Sequence, residues 1–328
     1  MNDSSVSNDH FKSSNPFKLD YSNLKTYSIK RRHSKVNIED FSSPWQKGSS
    51  FSDFLDTLPS ILAGNDIRSI IKAIAIAAQN KNQVCFSMGG HVIKTGMSPI
   101  IIDLMGKNIF TMLSMNGSCI IHDLETAMIG KTSEDVAQSI GSGSFGMAKE
   151  TSDFLNQAIK NAKQQSVGLG QAVGEMILKE NLEYKELSLT ASGAALDIPV
   201  TVHVAIGTDI IHMHPDFDAA ACGAASFNDF RLFTSQIAKL EKGVYINAGS
   251  AVIMPEVFLK ALTLARNLGS KLDDFTTVNL DFIRHYRPLT NVVNRPTLGK
   301  GKGFSIVGHH EILIPLIAAG VIESIPDQ

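Results

Sequence analysis

Six short apolar runs, each ending at a glycine or a polar residue, constrain the fold of this chain more than any other feature. They are Val84–Met88, Phe110–Met115, Val200–Ile206, Val244–Asn247, Thr276–Leu280 and Phe304–Val307. Longer segments of helical periodicity separate them. Because continuous apolar runs are typical of parallel strands buried on both faces, this alternation predicts an α/β protein with a mostly parallel sheet and helices on both faces.

Two of the intervening segments begin with capping sequences. Ser98 precedes Pro99, and proline is favoured in the first turn of a helix, so Ser98 is the predicted cap. Thr132 stands three residues before Asp135, which resembles a capping box. The sequence therefore predicts helices that begin directly after Ser98 and Thr132.

The 328-residue chain divides by composition into two parts. Residues 1–50 are rich in Ser, Asn, Lys and Asp and have too few regular apolar positions to form a core, so they are interpreted as a polar N-terminal arm or extension. Residues 51–328 carry all six strand candidates and are expected to form a single α/β domain.

Composition and charge exclude several classes of function. Apolar residues make up 43% of the chain and charged residues 19%, which suits a large core, and a net charge of −2 gives no reason to expect nucleic acid or an anionic membrane as a partner. The polar N-terminus and the lack of a run of about 20 apolar residues predict a cytoplasmic protein. Cys85, Cys119 and Cys222 show no CxxC spacing and are expected to be buried.

Glycine-bearing turns follow the predicted strands. They read GGHVIKTG, MNGS, IGTD and NAGS. In an open α/β sheet, ligands bind at the carboxyl ends of the strands, and glycine there lets the backbone approach a pyrophosphate or a ribose closely. Neither GxGxxG nor GxxxxGK[ST] occurs, and glycines that simply end strands explain each single turn equally well.

Histidines also concentrate in these turns, often beside a carboxylate. They lie at His91, at His122, between His203 and His214, and at His309 with His310. One hypothesis is a metal-dependent enzyme, since His212 and His214 fall on one side of an extended segment, although no HExxH spacing is present. The other is acid–base chemistry or the binding of a cationic amine.

The run GGHVIKTGMSPIIIDLMGKNIFTMLSMNG resembles the deoxyhypusine synthase family, in which a Ser-Asn-x-x-Ser-Ser-Gly loop opens a helix and the next strand ends in Thr-Thr-Ala-Gly-Gly. Similar segments follow in the same order at IPVTVHVAIGTDII, VYINAGSAVI and FSIVGHHEILIPLI, so that the resemblance covers residues 60–320. It implies a Rossmann-like, doubly wound, NAD-binding sheet and a homotetramer with sites at subunit interfaces.

The family uses NAD to take a hydride from spermidine and passes the aminobutyl group, through an enzyme lysine, to a lysine of a protein; relatives pass it to a free polyamine. The resemblance therefore implies NAD as cofactor, a small-molecule amine as substrate and a protein lysine as a possible acceptor. The positions that match around the dinucleotide are Gly90, His91, Thr95, Gly96, Asn116, Gly117, Asp209, Gly249, Ser250 and His309.

The sequence departs from the family where the chemistry takes place. The family's general-base histidine falls at Met254-Pro255-Glu256, its nucleophilic lysine falls in NRPTLGKGKG, and its paired glutamates appear as Ile121-His122 with only Asp123 retained. The candidates for catalysis, with His214 from the histidine group, are Lys300, Lys302, His122, Asp123 and His214. A catalytically inactive nucleotide-binding or regulatory paralogue is the alternative that these departures motivate.

Overall fold

A computed structural model describes residues 21–326 and contains one six-stranded sheet in which every strand pairing is parallel. The strands are β1 Val84–Met88, β2 Met112–Asn116, β3 Val200–His203, β4 Val244–Ala248, β5 Thr276–Asp281 and β6 Lys302–Val307. Their order across the sheet is β3-β2-β1-β4-β5-β6. The prediction of a Rossmann-like, doubly wound parallel sheet is confirmed, and the direction of winding reverses between β1 and β4.

Helices connect the strands and cover both faces of the sheet. They are α1 Phe51–Thr57, α2 Leu62–Gln79, α3 Gly90–Lys94, α4 Ser98–Gly106, α5 Gly117–Ile129, α6 Val136–Ser139, α7 Lys149–Gln165, α8 Leu169–Glu180, α9 Leu189–Leu196, α10 Ala219–Ile237, α11 Ile253–Asn267, α12 Tyr286–Pro288 and α13 His310–Ser324. Within residues 21–326, none of them combines the length and the apolar character that crossing a bilayer requires.

The chain divides into two units between Glu39 and Asp40. In the first unit, the described residues 21–38 are exposed and include a 3₁₀ turn at Ile29–Arg31 that Ser28 caps. The second unit holds the sheet. Residues 1–20 of the predicted arm lie outside the described residues.

Alternating side chains of β1, β2 and β4 enter two separate cores, which explains why these strands appear in the sequence as continuous apolar runs. In β1, Val84, Phe86 and Met88 pack into one core, and Cys85 packs into the other with Tyr245 and other buried residues. Every residue of β1 is buried. The expected burial of the three cysteines is confirmed.

One row of small polar side chains crosses the sheet on the face that carries Cys85 and Tyr245. The strand register aligns Thr201, Ser114, Ser87, Asn247, Asn279 and Ser305 as neighbours. The hydroxyls of Ser87 and Ser114 share a hydrogen bond, and Asn247 Nδ2 donates to Asn279 Oδ1 at 2.8 Å and to the Ser250 carbonyl at 3.0 Å. This polar row therefore joins adjacent strands and holds the turn that follows β4.

Two of the predicted helix starts differ from the structure. Ser98 is the first residue of α4, and Met97 precedes it as the cap. Thr132 does not cap a helix: Asp135 caps α6, its carboxylate accepting from the backbone N–H of Ala137 at 3.1 Å. The prediction for Thr132 was wrong because its hydroxyl is bonded to side chains of α5, which a local capping pattern cannot reveal.

Helix α8 approaches its neighbours so closely that two of its glycines have no room for a side chain. A Cβ on Gly174 would lie 2.1 Å from the Thr190 carbonyl oxygen, and a Cβ on Gly170 would lie 2.0 Å from that of Val200. Both clashes are with backbone, which cannot rotate away.

We expect Gly174→Ala to lower the free energy of unfolding by about 1–3 kcal/mol, since overpacking forces α8 away from α9. Gly223→Ala is the matched control, because Gly223 lies on an exposed face of α10 with open space around it. That change is expected to stabilise the protein by about 0.5–1 kcal/mol. Urea unfolding measures both, and equal effects of the two changes would contradict the packing argument.

A buried carboxylate on α10 joins α8 to the edge strand β3. Asp229 Oδ2 accepts the backbone N–H of Val202 at 2.9 Å and that of Gly170 at 3.1 Å. Burial raises the pKa of Asp229 to about 7, against the opposing effect of the backbone hydrogen bonds. The folded protein therefore retains a proton here over a pH range in which the unfolded chain has lost it.

The pKa of Asp229 in the folded state lies above its usual value near 3.8. The stabilisation that the proton provides is therefore complete below pH 3.8 and is lost as the pH rises through about 7. Asp229→Asn removes the titration. We expect the free energy of unfolding of the variant to change less between pH 5 and pH 8 than that of the wild type, by about 1–4 kcal/mol. Urea unfolding at the two pH values measures this, and an unchanged pH dependence would argue that Asp229 is ionised throughout.

Candidate functional site

The carboxyl ends of all six strands lie along one edge of the sheet, and we call the turns that follow them the carboxyl rim: residues 89–91, 117–118, 204–209, 249–250, 282 and 308–310. Its centre is the point where the winding reverses. There Gly89 N–H donates to the Ala248 carbonyl at 3.0 Å, and a Cβ on Gly89 would lie 2.3 Å from the Gly249 oxygen. Backbone alone therefore forms this part of the rim.

The structure brings most of the predicted cofactor-binding residues to this rim. Those within it or directly next to it are Gly90, His91, Asn116, Gly117, Asp209, Gly249, Ser250 and His309. Thr95 and Gly96 lie at the far end of α3, where the Thr95 hydroxyl bonds to the backbone of its own helix. The turns thus converge as the sequence predicts, with these two residues set back from the edge.

Helix α5 begins against a buried carboxylate. A Cβ on Gly117 would lie 2.0 Å from Asp209 Oδ2, so only glycine allows the two segments to meet. Asn116 makes no side-chain cap for this helix. Burial raises the pKa of Asp209 to about 6, and a hydrogen bond from Thr208 opposes the shift. The rim therefore carries a carboxylate that titrates near neutral pH.

His212 and His214, on which the metal hypothesis was based, form hydrogen bonds with backbone groups. His212 Nδ1 accepts the N–H of Gly207 at 3.0 Å and that of Asp209 at 3.1 Å, and His214 Nε2 bonds to the Gly146 carbonyl at 3.0 Å. Within residues 21–326, no group of three or more His, Cys, Asp or Glu side chains is placed to hold a metal ion. His214 is thus turned toward the 146 loop, and the geometry gives the metal hypothesis no support.

Aromatic and imidazole rings line the β5 and β6 side of the rim. The centroid of His91 lies 5.6 Å from that of Phe282 and 5.5 Å from that of His310, and Phe282 stacks on His309 at 6.4 Å. His310 is buried: Nε2 bonds to the Leu280 carbonyl at 3.2 Å, and Nδ1 has no partner among the described residues. Burial lowers the pKa of His310. It was not among the predicted site residues, although its position beside His309 was the available signal.

His122 lies on α5 with its ring against the turn that follows β1. A Cβ on Gly90 would lie 3.1 Å from His122 Cδ2 and 3.5 Å from Nε2. His122 Nδ1 is 2.8 Å from Thr132 Oγ1, which donates to Glu125 Oε2 at 2.5 Å. Thr151 Oγ1 donates to the other oxygen of Glu125 at 3.3 Å. Thr132, Glu125 and Thr151 are residues that sequence reasoning missed, because their contacts with one another and with His122 span turns and helices.

Asp123, the next residue along α5, faces the start of α9. Its carboxylate accepts from Ser188 Oγ at 2.7 Å, from Leu189 N at 2.6 Å, and from the nitrogen and hydroxyl of Thr190 at 3.1 and 2.6 Å. These four bonds hold the start of α9. The geometry therefore supports a structural role for Asp123 and leaves its oxygens engaged away from the rim.

Lys300 and Lys302 lie at the amino ends of the strands, on the side of the sheet opposite the carboxyl rim. Their backbone N–H groups donate to the carbonyls of Asp273 and Phe275, at the amino end of β6, and both side chains are exposed. Six strand residues at about 3.3 Å each separate this end from the rim. Within one chain, the two lysines are therefore not brought together with the other candidate residues.

We expect Gly117→Ala to push Asp209 out of its buried position and to return its pKa from about 6 toward its usual value near 3.8. Carbon-13 NMR titration of the aspartate carboxyls measures this directly. Gly106→Ala, at an exposed site with open space around it, is the control and should leave the titration unchanged. An Asp209 pKa that stays near 6 in Gly117→Ala would show that the close approach is not what buries the carboxylate.

The sequence matches no protein-family model, and no curated protein matches it significantly. Its fold is similar to that of a conserved protein designated LOR/SDH from Methanococcus maripaludis S2, with a TM-score of 0.51 and 14% identity over 78% of this chain and 69% of that one. AgrE, solved as a ternary complex with ornithine and NAD+, gives a TM-score of 0.51 and 12% identity over 80% of this chain and 34% of AgrE. The chain thus spans about a third of AgrE, and these likenesses show the fold alone.

A structure described as a deoxyhypusine synthase from Entamoeba histolytica covers 86% of this chain and 96% of that one, at 12% identity and a TM-score of 0.48.

Proposed function

We propose that this chain is an NAD-binding enzyme that acts on a small amine, with the dinucleotide lying across the carboxyl rim. The observation that carries the proposal is the backbone contact between Gly89 and Gly249 at the reversal of strand order, where a side chain on Gly89 would clash with the Gly249 oxygen. Dinucleotides bind at this point in doubly wound sheets because the backbone there approaches a pyrophosphate closely. AgrE, with the same fold, was solved with NAD+ and ornithine.

The residues of the rim fit the parts of such a cofactor. The first N–H groups of α5, at Gly117 and Ser118, lack a capping side chain and suit a phosphate. Asp209 suits the ribose hydroxyls, which need an acceptor. His91 and Phe282 offer ring surfaces for a base. When bound, NAD would supply the acceptor for a hydride; the chain supplies the binding surface and the groups that hold the amine.

The finer proposal is the deoxyhypusine-synthase-like reaction that the sequence resemblance implies. A polyamine or related amine would lose a hydride to NAD and become an imine, its alkylamine group would pass to an acceptor amine while the rest of the polyamine leaves as a free amine, and the hydride would return from NADH to the new imine. Lys300 and Lys302 lie at the sheet edge opposite the rim of their own chain. Their participation in this reaction therefore requires that they reach the rim of a neighbouring subunit, as in the homotetramer that the resemblance implies. The acceptor would be a free amine or a protein lysine.

Two observations favour a second function, that of a catalytically inactive nucleotide-binding or regulatory protein. Both candidate nucleophiles lie away from the rim, and no histidine occupies residues 254–256. A protein of this kind would bind NAD through the same backbone turns without turnover.

We expect NAD in hundredfold excess over its Kd to raise the melting temperature by about 3–6 °C. We also expect spermidine, agmatine or ornithine then to produce NADH absorbance at 340 nm. Lys300→Ala with Lys302→Ala should leave NADH formation unchanged and abolish transfer to an added amine. Stabilisation by NAD with no NADH across the three amines would favour the inactive paralogue, and the absence of any shift with NAD would contradict the proposal itself.

A further inference from the structure

His122, Thr132 and Glu125 form a hydrogen-bonded chain that ends at the carboxyl rim. The His122 side chain is 13% exposed and that of Glu125 is 19% exposed, so both are largely shielded from water. Nδ1 of His122 is 2.8 Å from Thr132 Oγ1, and Thr132 Oγ1 is 2.5 Å from Glu125 Oε2. We call these three residues the His122 relay.

With Glu125 as a carboxylate, the hydrogen-bond pattern assigns the protons of the relay. A carboxylate only accepts hydrogen bonds, and a hydroxyl has a single hydrogen to donate. Thr132 gives its hydrogen to Glu125. Its oxygen can then only accept from His122, so Nδ1 of His122 carries the proton and Nε2 carries the lone pair.

The lone pair on Nε2 is open to a ligand. His122 Nε2 has no hydrogen-bond partner among residues 21–326, and it is not one of the polar atoms there that are buried without a partner, so it retains contact with solvent. It lies beside Gly90, where a Cβ would come within 3.5 Å of it, and the Ser118 hydroxyl is next to the same point. The relay therefore presents an acceptor atom to the rim between β1 and α5.

The imidazole of His122 stays neutral at physiological pH. Burial lowers its pKa to about 4, and the positive charge of Lys94 on α3 acts in the same direction. Glu125, on the same helix, is the charged group on the other side of the ring, 4.0 Å from Nδ1. A neutral imidazole with a fixed Nδ1–H accepts a hydrogen bond at Nε2 and has no proton there to donate.

We propose that the His122 relay is a ligand-binding device in which Nε2 of His122 accepts a hydrogen bond from an N–H or O–H group of the substrate, with Thr132 and Glu125 as positioning residues. The inference rests on the proposed function, because it assumes that the substrate amine lies at the carboxyl rim. It also gives the rim a selectivity: a donor group such as an ammonium is favoured, and a carbonyl or carboxylate oxygen at the same point would face the lone pair.

This assignment replaces the pairing of acidic residues that the sequence resemblance leads one to expect. The carboxylate of Asp123 accepts four hydrogen bonds from residues at the start of α9, so it is not available to bind the amine. Of His122 and Asp123, only His122 faces the rim, and the relay makes its Nε2 a hydrogen-bond acceptor that carries no negative charge.

The tautomer can be measured on the full-length protein labelled with nitrogen-15 at histidine. We expect His122 to show a protonated Nδ1 and an unprotonated Nε2 between pH 5.5 and pH 8. Thr132→Val removes the hydroxyl and should shift the ring toward the Nε2–H tautomer, and Thr132→Ser should restore it. An Nε2–H tautomer in the wild-type protein would overturn the proposal.

Thr126→Val is the matched control, because the Thr126 hydroxyl donates to the backbone carbonyl of His122 at 2.7 Å and not to its ring. It changes the same type of residue, on the helix that carries His122, and should leave the tautomer unchanged. An equal change of tautomer in Thr126→Val and Thr132→Val would show that the ring responds to general loosening of α5.

Binding is tested with spermidine as the probe, with and without NAD. We expect spermidine to shift the Nε2 resonance of His122, and His122→Phe and Thr132→Val to weaken spermidine binding by at least about tenfold, which corresponds to about 1.4 kcal/mol. NAD affinity and the melting temperature should be nearly unchanged in both variants. Thr126→Val should bind spermidine as the wild type does.

The outcomes separate the two proposals. If the protein binds NAD and spermidine but the Nε2 resonance does not move, the relay is not part of the site, and the proposed function stands. If NAD does not bind, the proposed function fails, and the shift of Nε2 with spermidine alone still decides the relay. If spermidine binds equally well to His122→Phe, the ligand-binding role of His122 is wrong.

Discussion

The direct contact between the turns that follow β1 and β4 is the constraint on which the rest of the carboxyl rim depends. Gly89 donates its N–H to Ala248, and its Cα lies against the Gly249 carbonyl with no space for a side chain. Gly249 in turn lies against the ring of His310, which bonds to the Leu280 carbonyl at the end of β5. One glycine contact thus sets the relative positions of three strand ends, because each following contact is made to backbone or to a buried ring.

Buried polar side chains near the carboxyl rim make the sheet less stable than an apolar sheet would be. Besides the bonded pairs of the polar row, Asn247 Oδ1, Tyr245 OH and Thr277 Oγ1 are buried with no partner among the described residues. An unsatisfied buried polar atom costs about 1–3 kcal/mol, so an apolar row would be more stable. Asn247 also holds the Ser250 carbonyl, at the turn where the proposed dinucleotide passes. Buried polar atoms without partners are expected at functional sites, where a protein loses some stability in order to position the residues of the site.

What could be predicted from the sequence follows the range over which each signal acts. The strand runs were predicted closely, β1 with the bounds Val84–Met88, because hydrophobic periodicity is a property of neighbouring residues. The parallel sheet followed from the alternation of strands and helices. The hydrogen bond between His122 and Thr132, the partners of Asp123 and the distance of Lys300 from the rim were not predictable, since each depends on contacts between separate elements of the structure.

His122 and Asp123 show why the site needed the structure. Successive residues on a helix point about 100° apart, and in this chain the two neighbouring polar side chains reach different surroundings. In this chain, the imidazole of His122 lies at the rim, and the carboxylate of Asp123 lies in the interior, where it holds the start of α9. The sequence presents the pair as one candidate amine-binding group, and the helix geometry divides it into a ligand-facing acceptor and a structural anchor. An amine bound between β1 and α5 would therefore meet a neutral acceptor there, and the carboxylate of Glu125 would lie behind the imidazole ring, 4.0 Å from Nδ1.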